Sequence, residues 1–209
     1  LIYVECDVTQ WQDCVNAVNI TAGKFGAIHG LLNNAGVGMQ NIGNVLVGDR
    51  KRFYEVEADT WRKAIDVNFN GAFMMAKAIT PKLIEQGFGR IVNIVTSFYT
   101  MMMHGFSPYG PSKAALESAT VIWAKDLAGT GVTVNALLPG GPANTRMIPQ
   151  SEVTARSTLI QPEVMMAPIV WLMSSRSNGV SSRRIIAKEW DAERLQREPP
   201  ENVGSSAGW

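Results

Sequence analysis

Short apolar runs alternate with longer amphipathic stretches along most of this chain. Leu1-Ile2-Tyr3-Val4, Ile28 to Leu32, Arg90 to Val95 and Val132 to Leu138 are brief and mostly apolar, several of them rich in β-branched residues, as buried strands are. Between them, apolar residues recur every three or four positions. Trp11, Val15, Val18 and Ala22 mark one predicted helix, which Gly23 and Gly26 end. A second runs from Thr60 to about Gln86, capped by Asp59 or Thr60, with Gly71 as a point where another backbone can pack closely. A third starts at Tyr109 and ends near Gly129. Pro162 opens one more, from Val164 to Met173, and Asn178-Gly179 turns the chain into a last strand, Arg184 to Ala187. Strands alternating with helices predict an α/β domain over residues 1–190. Residues 37–57 read as a polar surface loop and 147–160 as a mobile lid. Residues 191–209, with Pro199-Pro200 and Gly204-Ser205-Ser206, read as a weakly ordered tail.

Composition narrows the function classes. With 209 residues at 46% hydrophobic, the chain can bury one substantial core. The net charge is +1 with both signs interspersed, and no basic stripe or aromatic platform suggests a nucleic-acid partner. No apolar run is long enough for a bilayer and no signal peptide opens the sequence, so no membrane partner is expected. Cys6 and Cys14 are too few and too close for a disulfide framework, which favours a reduced, cytoplasmic protein. No metal site is expected. The first residue is Leu1, without an initiator methionine, so the chain is expected to start partway through a longer one.

Chemistry concentrates between Ile91 and Lys113. The strand there ends in two hydroxyl residues, Thr96 and Ser97, and a loop leads to Tyr109-Gly110-Pro111-Ser112-Lys113. Tyr109 and Lys113 share one face of a helix, a turn apart. An ammonium beside a phenol favours the phenolate and brings its pKa towards a range useful for proton transfer. A hydroxyl, a Tyr and a Lys can therefore meet over one carbonyl or alcohol. Met101-Met102-Met103 and Phe106, in the intervening loop, suit an adaptable apolar pocket wall and equally suit plain packing. Asn33-Asn34-Ala35-Gly36 follows the strand at Ile28. Ligands of open α/β sheets sit at such carboxyl ends, a glycine admits close approach, and asparagines can tie neighbouring strand ends together.

These motifs, in this order, resemble the short-chain dehydrogenases/reductases. Asn33-Asn34-Ala35-Gly36 is similar to the family's Asn-Asn-Ala-Gly turn, and Asp66-Val67-Asn68 to its helix carrying a catalytic Asn. Tyr109 to Lys113 is similar to its Tyr-x-x-x-Lys pair, and Pro139-Gly140 followed by Thr145 to its Pro-Gly turn. The resemblance spans Val4 to the strand near Ile185. It implies a doubly wound, Rossmann-like parallel sheet and hydride transfer between NAD or NADP and a carbonyl or secondary alcohol of a small apolar substrate. It also implies a homo-oligomer at full length. By resemblance, Tyr109 is the acid/base, Lys113 lowers its pKa and holds the ribose, and Asn68 distorts its helix to hold a relay water. Asp7, with Val8 beside it, meets the adenine; Asn34, Ala35 and Gly36 approach the nucleotide; Pro139 and Gly140 contact the nicotinamide; Thr145 bonds its carboxamide or the pyrophosphate. A gapless comparison places the catalytic hydroxyl at Thr96. Ser97 is the commoner residue type, and the reading leans slightly to it.

One family feature has no counterpart. No Gly-rich loop opens a helix ahead of Asp7, and the Gly38, Gly43, Gly48 series lacks both the spacing and the strand-to-helix context. If the strand at Leu1 is the family's third, the first two strands, which lie between it and the strand at Ile28, are missing. The alternative reading is therefore a catalytically inactive fragment or an interaction remnant.

Overall fold

The computed structural model describes residues 1–43, 45, 48–149, 155–193 and 202–209. Five strands form one sheet in the order of the chain: β1 (Gly30–Asn33), β2 (Gly89–Ile94), β3 (Val132–Leu138), β4 (Arg183–Ile186) and β5 (Ser205–Ser206). The first four run parallel, and β5 pairs antiparallel with β4. The helices are α1 (Trp11–Phe25), α2 (Ala58–Ile65), α3 (Gly71–Gln86), α4 (Phe98–Met101), α5 (Tyr109–Asp126) and α6 (Met166–Leu172).

Helices cover both faces. Ile91 and Val134 pack with Ala76, Ile79 and Leu83 of α3 and Ala124 of α5, with Val18 of α1 behind. Val92, next to Ile91, and Leu137, three residues after Val134, point the other way and meet Trp171 and Leu172 of α6. Alternate residues thus enter opposite cores, and β3 is buried from end to end. This is the doubly wound α/β arrangement expected. Buried amides are paired across it: Asn33 donates to Asn93 at 2.9 Å and Asn93 donates to Thr120 at 2.9 Å, tying β1, β2 and α5 together.

Two expectations are corrected. Leu1 to Val4 form no strand: residues 1–8 alternate between exposed and partly covered positions but join no ladder, and Leu1 and Tyr3 are almost wholly exposed. The segment is held instead by Val8, whose side chain occupies the gap that Gly71 leaves at the start of α3. The tail is also more ordered than its composition suggests. Val203 is buried, β5 joins the sheet, and Arg183 donates to the carbonyls of Val203 and Gly204. Residues 194–201 of that tail, and 150–154 of the expected lid, lie outside the described residues. The lid's base is closed by backbone bonds between Pro142, Asn144 and Ile160, while Arg156 donates to the Thr145 and Ile148 carbonyls.

Candidate active site

The carboxyl ends of β1, β2 and β3 open on a cavity of about 930 Å3. Thr96, Ser97, Tyr109, Lys113, Asn34, Pro139, Gly140 and Thr145 all line it, so most of the expected site residues meet in one place. Asp7 and Val8 do not line it. Val8, Asn34 and Ala35 line a smaller cavity of about 180 Å3 beside the open edge of β1. Asp7 is exposed, and its carboxylate accepts bonds from the Thr9 backbone and hydroxyl, which hold its pKa down. Asp7 thus braces the turn ahead of α1 and does not cap the helix, whose N-cap is Gln10 without a side-chain bond.

Helix α5 starts at Tyr109, which places Lys113 one turn further along the same face. The ammonium of Lys113 is buried and donates to the Ile94 carbonyl at 2.8 Å, and burial lowers its pKa to about 8. Gly36 lies beside it: a Cβ there would stand 3.2 Å from Asn68 Oδ1, a tight approach, and in ordinary contact with Lys113 Nζ at 3.7 Å. The Asn-Asn-Ala-Gly turn thus packs directly against Asn68 and next to the lysine.

The phenol differs from expectation. Burial raises the Tyr109 pKa, and a hydrogen bond with the Thr96 side chain partly offsets it. Lys113 is turned to Ile94, and no lowering of the phenol traces to it. The two hydroxyls at the strand end part company here. Ser97 caps α4, accepting from Thr100 N at 3.1 Å and sharing a 2.8 Å bond with the Thr100 hydroxyl. The Thr96 hydroxyl has no such cap to make and lines the cavity beside Tyr109.

Between α2 and α3 the helix widens to a π-turn over Asp66–Asn70, with Asn68 inside it. The extra residue turns the Asn68 amide inward. It accepts from Val37 N at 2.7 Å and donates to the Val37 carbonyl and to Ser112 Oγ, each at 3.1 Å. Ser112 in turn donates to the Tyr109 carbonyl at 2.7 Å. One lone pair of Asn68 Oδ1 is left over for a relay. Ser112 was missed in the sequence, although its position three residues after Tyr109 points it at the same helix turn.

Most of the rest of the wall is apolar, with Arg50, Tyr99 and Thr100 as polar exceptions. Of the three consecutive methionines only Met103 lines the cavity, with Phe106; Met101 is buried in the core and Met102 points outward. Met39, Met147, Ile148, Leu159, Met165 and Ile169 contribute much of its apolar surface. Thr145 lines it too, with its hydroxyl accepting from Met147 N. The residues present fit the nicotinamide and ribose end of a dinucleotide: a buried ammonium, a glycine-relieved gap and the Pro139 turn converge there. Of the glycines lining the cavity, Gly38, Gly140 and Gly141, none opens an α-helix, so the wall offers no helix-terminus pyrophosphate cradle. Among the described residues there is no metal-binding cluster, and no helix is long and apolar enough to cross a membrane.

Comparison with known proteins agrees with this geometry. The 3-oxoacyl-(acyl-carrier-protein) reductase of Synechocystis sp. is 32% identical over 139 residues, 66% of this chain and 52% of the relative. The 2-(R)-hydroxypropyl-CoM dehydrogenase of Xanthobacter autotrophicus is 34% identical over 140 residues, 67% and 53% of the two chains. The chain thus spans about half the length of these curated relatives. A solved short chain dehydrogenase from Salmonella enterica serovar Typhi shares the fold, with a TM-score of 0.73 and 24% identity over 90% of this chain and 72% of that one. The short chain dehydrogenase model itself matches residues 1–155, three quarters of the chain and every motif from Asp7 to Thr145, and the chain belongs to that family.

Proposed function

We propose that this chain carries the catalytic half of an NAD- or NADP-dependent oxidoreductase that interconverts a carbonyl and a secondary alcohol on an apolar substrate. The observation that carries the reading is the meeting of Thr96, Tyr109 and a buried Lys113 at the wall of one large, mostly apolar cavity. The nicotinamide, when bound, supplies or accepts the hydride. The residues handle the proton. In the reducing direction the Thr96 hydroxyl holds the substrate oxygen and the Tyr109 phenol donates its proton to that oxygen. A neutral phenol suits this direction, and its raised pKa keeps it protonated at neutral pH. Lys113 steadies the phenolate left behind and offers its remaining N–H groups to the ribose. Asn68, through Ser112, fixes the first turn of α5 and so the aim of the phenol.

The cavity's methionines and Phe106 support an apolar substrate whose outline varies, since thioether chains adapt their shape. Apolar side chains exposed on α3 and α5, among them Phe73, Ile84 and Ile122, support assembly into a homo-oligomer. The free thiols Cys6 and Cys14 suit the reducing cytoplasm. The second reading, an inactive fragment, is favoured by the bare edge of β1 and the unbuilt adenine end. Titration with NADH and NADPH, followed by assay against a series of apolar ketones, separates the two. Turnover that persists in Tyr109→Phe sinks the catalytic assignment, and absence of any cofactor binding favours the inactive reading.

A further inference from the structure

Arg184 and Glu117 are an ion pair shut inside the protein, 4% and 0% exposed, and the chemistry above does not use them. A pair so buried is weak support for stability, because desolvating both charges offsets their attraction. Its geometry suggests another purpose. One arm of the guanidinium donates to Glu117 Oε2 at 2.5 Å, and the other donates to the Thr96 carbonyl at 2.6 Å. The last ladder bond of β2 is made by Val95 N to the Leu137 carbonyl; one residue on, Arg184 takes over the backbone of Thr96. Glu117 stands four residues beyond Lys113 and eight beyond Tyr109, on the same face of α5. A single planar fork therefore connects β4, the end of β2 and the helix that carries the phenol.

The C-terminal residues close this arrangement. Gly208 N donates to the second Glu117 oxygen at 3.1 Å. Phe98 lies under the guanidinium at 3.9 Å, and the edge of Trp209 meets Phe98 at 5.9 Å. Trp209 is itself 81% exposed, so the Gly208 N–H is the stronger link.

We propose that Arg184, held by Glu117 and the C-terminal Gly208, is a positioning residue that sets the Thr96 hydroxyl against Tyr109. The proposal rests on the functional reading above and assigns the reaction a part of the chain outside its motifs. Arg184→Lys is the sharpest test. Its single nitrogen can pair with Glu117 but cannot span Glu117 and the Thr96 carbonyl together. The expected result is an unfolding temperature close to that of the unaltered protein and an unchanged KM for the cofactor. With them go a fall in kcat of about 10- to 100-fold and amide exchange at Thr100, Met101 and Met102 faster by about tenfold, since small misplacements near the reacting groups are costly. Removing Gly208 and Trp209 should reproduce the exchange change with a smaller loss of kcat. Unchanged exchange at residues 100–102 in Arg184→Lys overturns the proposal, as does exchange that rises equally in α1 and α3. If the unaltered protein reduces no ketone with either cofactor, the functional reading falls instead, and the exchange measurement alone decides whether Arg184 holds Thr96.

Discussion

The two ends of the sheet are built to different standards. At the β4 end, a two-residue antiparallel strand finishes the ladder, both arginines of β4 hold neighbouring carbonyls, and a buried ion pair ties strand to helix. At the β1 end, the strand pairs on one side only, Leu32 is 36% exposed, and the residues leading into α1 run past without joining. The chemistry follows this asymmetry. Thr96, Tyr109 and Lys113 belong to the finished side, where Lys113 donates to the Ile94 carbonyl and burial shifts both titratable side chains. Asp7 belongs to the unfinished side, exposed and bonded only within its own turn. The residues of the proposed proton-transfer site thus line one cavity together, while Asp7 stands apart from them on an exposed turn.

The largest effect should come from the heart of the finished side. Tyr109→Phe removes the proton donor and keeps the ring, and kcat should fall by about 10^2- to 10^4-fold. Cofactor affinity, measured calorimetrically, should change little, because the phenyl ring still fills its place beside Phe106. Next come the paired hydroxyls. Thr96→Ala should lower kcat by about 10^2-fold, as loss of a donor to a developing oxyanion does. Ser97→Ala should mainly remove the cap of α4 and cost about 1 kcal/mol of stability, read from denaturant unfolding. Equal, small losses of turnover in both variants would take this strand end out of the mechanism.

That contrast also shows how much the sequence revealed. Strand β3 and helix α1 were legible to the residue, because an uninterrupted apolar run and a clean 3.6-residue period leave few alternatives. The π-turn at Asn68 followed from the family resemblance rather than from the helix pattern, which reads straight through it. The choice between Thr96 and Ser97 was not legible: both leave the same strand end, and only the cap that Thr100 draws from Ser97 separates them. Leu1 to Val4 carry a strand's composition, yet a strand is made by its neighbour, and none lies alongside. Arg184 and Glu117 were missed because each looks like ordinary surface charge until 67 positions of chain are folded to bring them together. The tail was misjudged for a similar reason. Its glycine and serines suit a loose end, but Arg183 and Glu117 supply the acceptors and donors that dock it.

A smaller effect concerns the thermodynamic cost of the finished side. Lys113 has a pKa of about 8 when folded, against 10.5 for an ordinary lysine. Above pH 8 the folded protein sheds this proton while the unfolded chain keeps it up to about pH 10.5, so stability from this group rises with pH across that window. Below pH 8 the ammonium stays charged in both states and its burial is fully unfavourable. Lys113→Met, without cofactor, should therefore be more stable than the unaltered protein at pH 7 by about 1–3 kcal/mol, despite losing activity. The gain should shrink as the pH approaches 10. A variant that is less stable at pH 7 would mean the bond to the Ile94 carbonyl outweighs desolvation.

The last prediction addresses the unfinished edge and should hardly touch folding. Among the described residues no strand pairs with the outer side of β1, where Leu32 is partly exposed, and such an edge recruits strands from other molecules. Residues 1–209 alone are therefore expected to associate at micromolar concentration and to bind NAD and NADP too weakly to measure. Leu32→Lys places a charge on that edge, where it costs no more than about 0.5 kcal/mol because the side chain is already partly in water. It should lower light scattering without changing the unfolding midpoint, while a lysine at Val170, exposed on α6 and not part of β1, should leave scattering as it was. If both substitutions reduce association equally, the edge is not its cause. If the unaltered chain is monodisperse and binds either cofactor at micromolar concentration, the β1 side is finished by means that Leu1 to Val8 do not reveal.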